Sequence, residues 1–535
     1  MKKCIPYVIS AIILTLSFSD TGFAAEVTGP SSSREPYVSP SASNVHTYSI
    51  ISVGDAVMDT GYRMVGIPDG LGAIDHDDLT FSVFMHHELR DDVGIARAHG
   101  GRGALISQWR ITKPGHPDGN FKVISGNDAI ATLNLWDPAT SSYYATADEA
   151  INRLCSADLA ESSAFYYALK HGDFKRGTRE RIFLGGEEND AFSGGNYGRA
   201  LATIVTGPNK GQSYELPLLG NMAFENIVAS PYMQKKTVVA LLDDSASQTT
   251  DTLGEVYFYI GEKENCGLEI DQAGLTNGSL YGLKIFDLPV EDAAHGLGAG
   301  AGSKANFKLV NLGDFSDDDG TLLFAKTVAY NPYGVTKFLR PEDGHWDPTQ
   351  PDVFYFITTG ASYDSDGDGT RETSGPGRIW KLTFYNIKSP VAGGVIELVL
   401  DGTEGITSPD NLTVDNKGHL YIQEDPGSSA GLAKIWRYQP AVGNLEEVAA
   451  HNAKFFDSGS PNFITTNEES SGIIDMSAIL GEGWFLFDSQ SHISVDGPGE
   501  DANRAMFGFT LDEGIEFVED GQLLAAFIPQ KLVVP

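Results

Sequence analysis

The stretch Arg181 to Asp190, Arg-Ile-Phe-Leu-Gly-Gly-Glu-Glu-Asn-Asp, decides how this chain reads. A short β-rich run meets two glycines, and four acidic or amide side chains follow at once. The glycines predict a tight backbone turn. Glu187 and Glu188 repel each other unless a positive charge lies close by. A single cluster of this kind reads equally well as a polar hairpin turn; its recurrence along the chain does not.

The same pattern of strand, acid-bearing loop and strand returns five more times. Phe84 to His87 runs into Glu88 and is followed by Gly103 to Ile106. Val238 to Leu242 runs into Asp243-Asp244, followed by Glu255 to Phe258. Val353 to Ile357 leads to an Asp-rich loop and then Arg378 to Trp380. Leu420 to Ile422 runs into Glu424-Asp425, followed by Lys434 to Trp436. Trp484 to Phe487 runs into Asp488 and finds its partner much later, at Gln522 to Leu524. Hairpins repeated in this way predict an all-β, six-bladed β-propeller with loop and helical insertions. Ala147 to Leu154 and Glu161 to Leu169 have helical spacing and good helix formers, so a helical insertion is expected near 147–171.

A second acid stands about one strand and a turn ahead of five of these hairpins: Asp69, Glu225, Glu342, Asp410 and Asp475. If the extra strand is the innermost of each blade, these acids meet at one mouth of a central channel. Carboxylates converging on one axis need cations.

Met1 to Ala24 reads as a Sec-type signal peptide, with Lys2 and Lys3, an apolar Val8 to Phe18 and a small-residue end at Gly22-Phe23-Ala24. The protein is therefore expected in the periplasm or outside the cell. No other stretch is long and apolar enough to cross a bilayer. Residues 25–45, rich in Ser and Pro, read as a flexible lead-in, and 46–535 as one domain and a monomer. The net charge of −35 argues against nucleic acid and anionic membranes as partners. Cys155 and Cys266 remain after the signal; a disulfide, a metal-ligand role for Cys155 and inert burial all stay open.

Asp364, Asp366 and Asp368 alternate in a Gly-containing loop, which suits Ca²⁺. The position where an EF-hand needs Glu is Gly375, so the loop is either another kind of calcium site or a solvated turn. The scattered carboxylates, with few thiols or imidazoles, favour Ca²⁺, Mg²⁺, Mn²⁺ or ferric iron over zinc or copper. Candidates are Glu187, Glu188, Glu225, Glu342, Asp243, Asp244, Asp410, Glu424 and Asp425, with Cys155, Glu88 and Asp69 as additional ligands. His86 or His87 offers one imidazole. Neither His-Glu-x-x-His nor Gly-x-Ser-x-Gly is present. Arg340, held beside Glu342 by Pro341, either pairs with carboxylates or clamps an anion such as phosphate.

Gly-Glu-Glu (186–188), Arg-Pro-Glu (340–342), Ser-Pro-Asp-Asn (408–411) and Gln-Glu-Asp (423–425), in that order, resemble the PhoX-type secreted alkaline phosphatases. Pro-Asp-Gly-Leu-Gly (68–72), His-His-Glu-Leu (86–89) and Gly-Arg-Ile-Trp (377–380) fit the same family. The resemblance implies a six-bladed propeller with calcium and iron at an axial site, acting on small phosphate monoesters. It implies Glu187, Glu188, Glu225 and Glu342 as ligands and Arg340 at the phosphate. The chain departs from the family at Gly186, where members carry cysteine, and in lacking Arg-Arg in its signal. Ca²⁺ is accordingly the expected cofactor and Fe³⁺ the second candidate. A calcium-stabilised propeller that binds without catalysis, and an esterase- or phytase-like hydrolase, are the competing readings.

Overall fold

The computed structural model describes residues 25–169, 175–189, 197–245, 253–291, 296–297, 300–324, 327, 331–363, 372–427 and 431–533. The signal segment and Asp364, Asp366 and Asp368 lie outside the described residues. The chain is mostly β, with no helix longer than seven residues among those described. No described helix is long and apolar enough to cross a membrane.

Six innermost strands organise the rest: β1 (Pro68–Asp75), β2 (Leu154–Asp158), β3 (Phe224–Ala229), β4 (Pro341–Trp346), β5 (Pro409–Val414) and β6 (Glu468–Asp475). Each is followed outward by three antiparallel strands. Outside β1 lie Thr80–His87, Leu105–Thr112 and Val123–Asp128; outside β4 lie Val353–Tyr363, Glu372–Phe384 and Gly394–Leu400. Strands β1 to β6 neighbour one another in sequence order, and β6 returns to β1, so the inner strands form a closed cycle. All six expected hairpins are paired.

The last sheet borrows its outer strand from the start of the chain. His46–Ser52 pairs with Asp520–Phe527, and Ala25–Thr28 runs parallel to His46–Ser52. Val38–Pro40 adds to the edge of the fifth sheet by pairing with Ala449 to His451. Residues 25–45 are thus built into two sheets rather than loose, because their backbone groups complete open strand edges.

The core sits between consecutive sheets. Along Thr80–His87, Phe81, Val83 and Met85 face the sixth sheet, while Phe84 faces the second. Both faces of a blade are therefore apolar, and period-2 alternation sorts side chains between two cores. Phe258, Phe354, Trp380 and Phe384 fill the core enclosed by the continuous sheet that carries both β3 and β4.

The helical insertion near 147–171 is not there. Leu154–Asp158 is the innermost strand β2, paired with Ile182–Glu187, and Tyr166–Ala168 is a strand; among the described residues of this stretch the only helical turn is Ser162–Ala164. Local helix formers yield here to pairing that buries Leu154, Cys155 and Ser156. Gly185 and Gly186 also differ from expectation: they lie inside the strand Ile182–Glu187, not at a turn. They allow close approach instead, since a Cβ on Gly185 would stand 2.1 Å from the His86 ring and one on Gly186 2.5 Å from Phe224.

Candidate metal centre at the mouth of the ring

The second residue of every innermost strand is an acid or a thiol: Asp69, Cys155, Glu225, Glu342, Asp410 and Glu469. All six are buried. The register against the next strand slips across this position in β1 to β5, and further along, between Ser471 and Ile474, in β6. Such bulges re-aim a side chain, here at the start of β1 to β5. Glu88, Glu188, Asp244 and Asp425, each directly after a second strand, meet them, as does Asp488 from within Trp484–Ser491.

Three groups of potential ligand atoms each lie within 4.8 Å of one another: Asp69, Glu88 and Cys155; Cys155, Glu188 and Glu225; and Glu225, Glu342 and Asp410. Shared members make one continuous array across β1 to β5. Ser156 Oγ donates to Glu225 Oε1 at 2.7 Å, and Asn411 Nδ2 donates to Ser156 Oγ at 2.5 Å. Gln490 Nε2 donates to Asp69 Oδ2 at 3.1 Å.

The charge balance of this array is unfavourable without added cations. Burial, then repulsion from Glu469, Asp488, Glu225 and Glu88, pushes the Asp69 carboxyl well above its usual range. Burial pushes Glu225 up to about 8, although Ser156 and Cys155 hydrogen bonds oppose it. Burial raises Glu188, Glu342 and Asp410, with Arg153 opposing at Glu188 and Arg340 at Glu342 and Asp410. The Cys155 thiol is likewise pushed up, by burial and by Asp69 and Glu225. Burial alone would lower His492, yet Glu469 and Glu519 against its two nitrogens hold it well above its usual value.

The donors fit a hard cation. Carboxylate oxygens dominate, as calcium requires, and Cys155 adds one thiol. Both oxygens of buried Asp488 lack a hydrogen-bond partner among the described residues. Glu342 Oε1 also accepts no hydrogen bond, although Arg340 Nη2 stands 3.0 Å away. Unpaired buried carboxylate oxygens are costly unless a cation meets them.

Several candidates stand apart from the array. Glu187 accepts from Arg199 Nε at 2.6 Å and from Asn152 N at 2.9 Å. Glu424 accepts from Thr407 N, Lys434 N and Trp436 Nε1. Asp243 accepts from Ser245 Oγ at 2.5 Å. His86 Nδ1 meets Cys155 O, while His87 bridges Gly66 O and Ser107 Oγ; burial takes the two rings down to about 4 and about 3. Asp475 sits at the opposite end of β6 and accepts from Ser477. The acid of β6 that joins the mouth is Glu469. Cys155 is buried and free, and Cys266 is exposed and free, so no disulfide joins them. At the other end of the ring, a cavity of about 350 Å³ is lined by Ala73, Asp158, Ala229, Trp346, Val414 and Ile474.

Arg340 donates from Nε and Nη2 to Asp244, at 2.9 and 2.7 Å. Sequence reasoning missed its counterpart. Arg153 stands immediately before β2 as Arg340 stands before β4, and it bridges Glu88 and Glu188. The visible signal was its place two residues before Cys155.

Residues 208–472 match the model of a family described as alkaline phosphatase PhoX. Over those residues the chain resembles the PhoX family. The match makes it an enzyme of the phosphatase class. The PhoX of Pseudomonas fluorescens, solved in complex with vanadate, a transition state analogue, is similar over 92% of this chain and 96% of that one. Sequence identity is 14% and the TM-score 0.57, a likeness of fold. An α-L-arabinanase from Penicillium chrysogenum, solved with arabinobiose, covers 93% of this chain and 100% of its own at 8% identity and a TM-score of 0.40. No curated protein matches the chain.

Proposed function

We propose that this PhoX-like chain is an exported, metal-dependent phosphatase that hydrolyses small phosphate monoesters at the mouth of a six-bladed propeller. The observation that carries the reading is the buried array Asp69, Cys155, Glu188, Glu225, Glu342 and Asp410, whose carboxyls cannot all ionise without cations. The closed cycle β1 to β6 supports six blades. Ca²⁺ is the expected ion, with Fe³⁺ the second candidate where Cys155 contributes sulfur. Glu88, Asp244, Glu469 and Asp488 complete the charge around it. The Asp364, Asp366 and Asp368 loop is a separate calcium candidate on sequence grounds.

Bound cations would neutralise phosphoryl charge and lower the pKa of a nucleophilic water. The chain's own residues do the rest. Arg340 keeps its Nε edge on Asp244 and is only partly exposed, so its guanidinium is held in place to grip a phosphoryl oxygen. Ser156 and Asn411 fix the Glu225 carboxylate.

The test is elemental analysis of the purified protein alongside hydrolysis of p-nitrophenyl phosphate. Calcium with or without iron, together with activity, is the expected result. Metal without phosphomonoesterase activity would leave a binding propeller.

A further inference from the structure

Arg153 and Arg340 repeat one arrangement two blades apart. Each directly precedes an innermost strand, and each has a left-handed backbone, with φ 39° and 56°. Ile67 before β1 and Ser408 before β5 share that conformation, so the turn into the inner strand sets it. Each spends the same edge of its guanidinium on acids at the ends of neighbouring strands. Arg153 donates Nε and Nη2 to Glu88 and Nη2 to Glu188 at 2.7 Å. Arg340 donates Nε and Nη2 to Asp244. Neither Nη1 makes a hydrogen bond among the described residues. Their side chains are 39% and 35% exposed, whereas the acids that hold them are nearly buried.

The two guanidiniums border neighbouring carboxylates of one array: Glu88 and Glu188 for Arg153, Asp244 and Glu342 for Arg340. Glu188, which Arg153 holds, is raised by Asp244, which Arg340 holds, and Glu225 lies between Glu188 and Glu342. A phosphate monoester dianion has three non-bridging oxygens, more than one guanidinium fork can satisfy. We propose that Arg153 is a second phosphate-binding residue, gripping the phosphoryl oxygens through Nη1 from the β2 side while Arg340 grips from the β4 side. This inference rests on the phosphatase reading. The acids beneath each arginine fix its plane, so little rotamer freedom is lost when the anion arrives.

The experiment measures inorganic phosphate affinity by calorimetry, and as inhibition of p-nitrophenyl phosphate hydrolysis, in Arg153→Ala, Arg153→Lys and the metal-loaded wild type. Metal content of each is read by elemental analysis. Arg153→Ala should keep its metal and bind phosphate about 10- to 100-fold more weakly, the size of one charge-assisted contact. If the alanine variant loses metal, Arg153→Lys should retain it and still bind phosphate more weakly than wild type, since an ammonium lacks the fork. Unchanged phosphate affinity in a metal-loaded Arg153→Ala overturns the proposal. So does loss of metal in both variants, which would make Arg153 a brace for Glu88 and Glu188. A wild type that neither binds phosphate nor hydrolyses the ester would sink the phosphatase reading itself, a different outcome from either.

Discussion

Replacing Glu225 by Gln should strengthen the metal-stripped protein and weaken the loaded one. Glu225 titrates at 4.5 when unfolded and at about 8 in the folded chain, where burial is the main cause. Between those values the native state holds a proton that the unfolded state has released. Raising the pH through that window therefore favours unfolding. The three-and-a-half-unit gap corresponds to about 5 kcal/mol as an upper bound, at 1.36 kcal/mol per unit. Gln keeps the shape, accepts from Ser156 and has no charge to release. Thermal melts in EDTA at pH 5, 6.5 and 8 on both proteins read the difference. At pH 5 the two should nearly coincide; by pH 8 the stripped variant should be the more stable by roughly 2–5 kcal/mol. With metal restored, the order should reverse, because the variant has lost a ligand. Parallel stability curves for the two stripped proteins from pH 5 to 8 would refute the reasoning.

Glu342→Gln removes a shared member of the array and should lower bound metal and phosphatase activity together, read by elemental analysis and p-nitrophenyl phosphate turnover. Arg340→Ala should retain metal and lose about 10²-fold or more of its activity, as other transition-state donors do, with Arg340→Lys recovering only part. Gly185→Ala places a methyl 2.1 Å from a His86 ring that Cys155 O fixes at 2.8 Å, and should cost on the order of 2 kcal/mol in a chemical or thermal melt.

Much of the fold was legible because its cores are built by alternation. Runs such as Phe81 to His87 and Val353 to Ile357 are rich in β-branched and aromatic residues and bounded by turns, and each found its expected partner. Asp69, Glu225, Glu342 and Asp410 were legible because each follows a proline or aromatic residue that opens the inner strand. Glu469 was not, because Glu468-Glu469-Ser470-Ser471 carries no such marker and Asp475 imitates one at the far end of the same strand. Arg153 was hidden by the helical composition of its surroundings. Only the closure of the ring shows that Leu154-Cys155-Ser156 is the second blade's counterpart of Phe224-Glu225-Asn226. The adjacent pair Glu187 and Glu188 could not be told apart by type: strand alternation sends Glu188 toward the array and Glu187 to Arg199.

The central claim is that the carboxylates at the mouth hold cations and that those cations make a phosphatase. Its most direct test strips the protein with a chelator and titrates Ca²⁺ back, without and with Fe³⁺, while following p-nitrophenyl phosphate hydrolysis and bound metal together. Activity should vanish on stripping and return in proportion to metal bound. A fully reloaded protein that releases no phosphate at any pH, or a stripped one that retains full activity, would contradict the account.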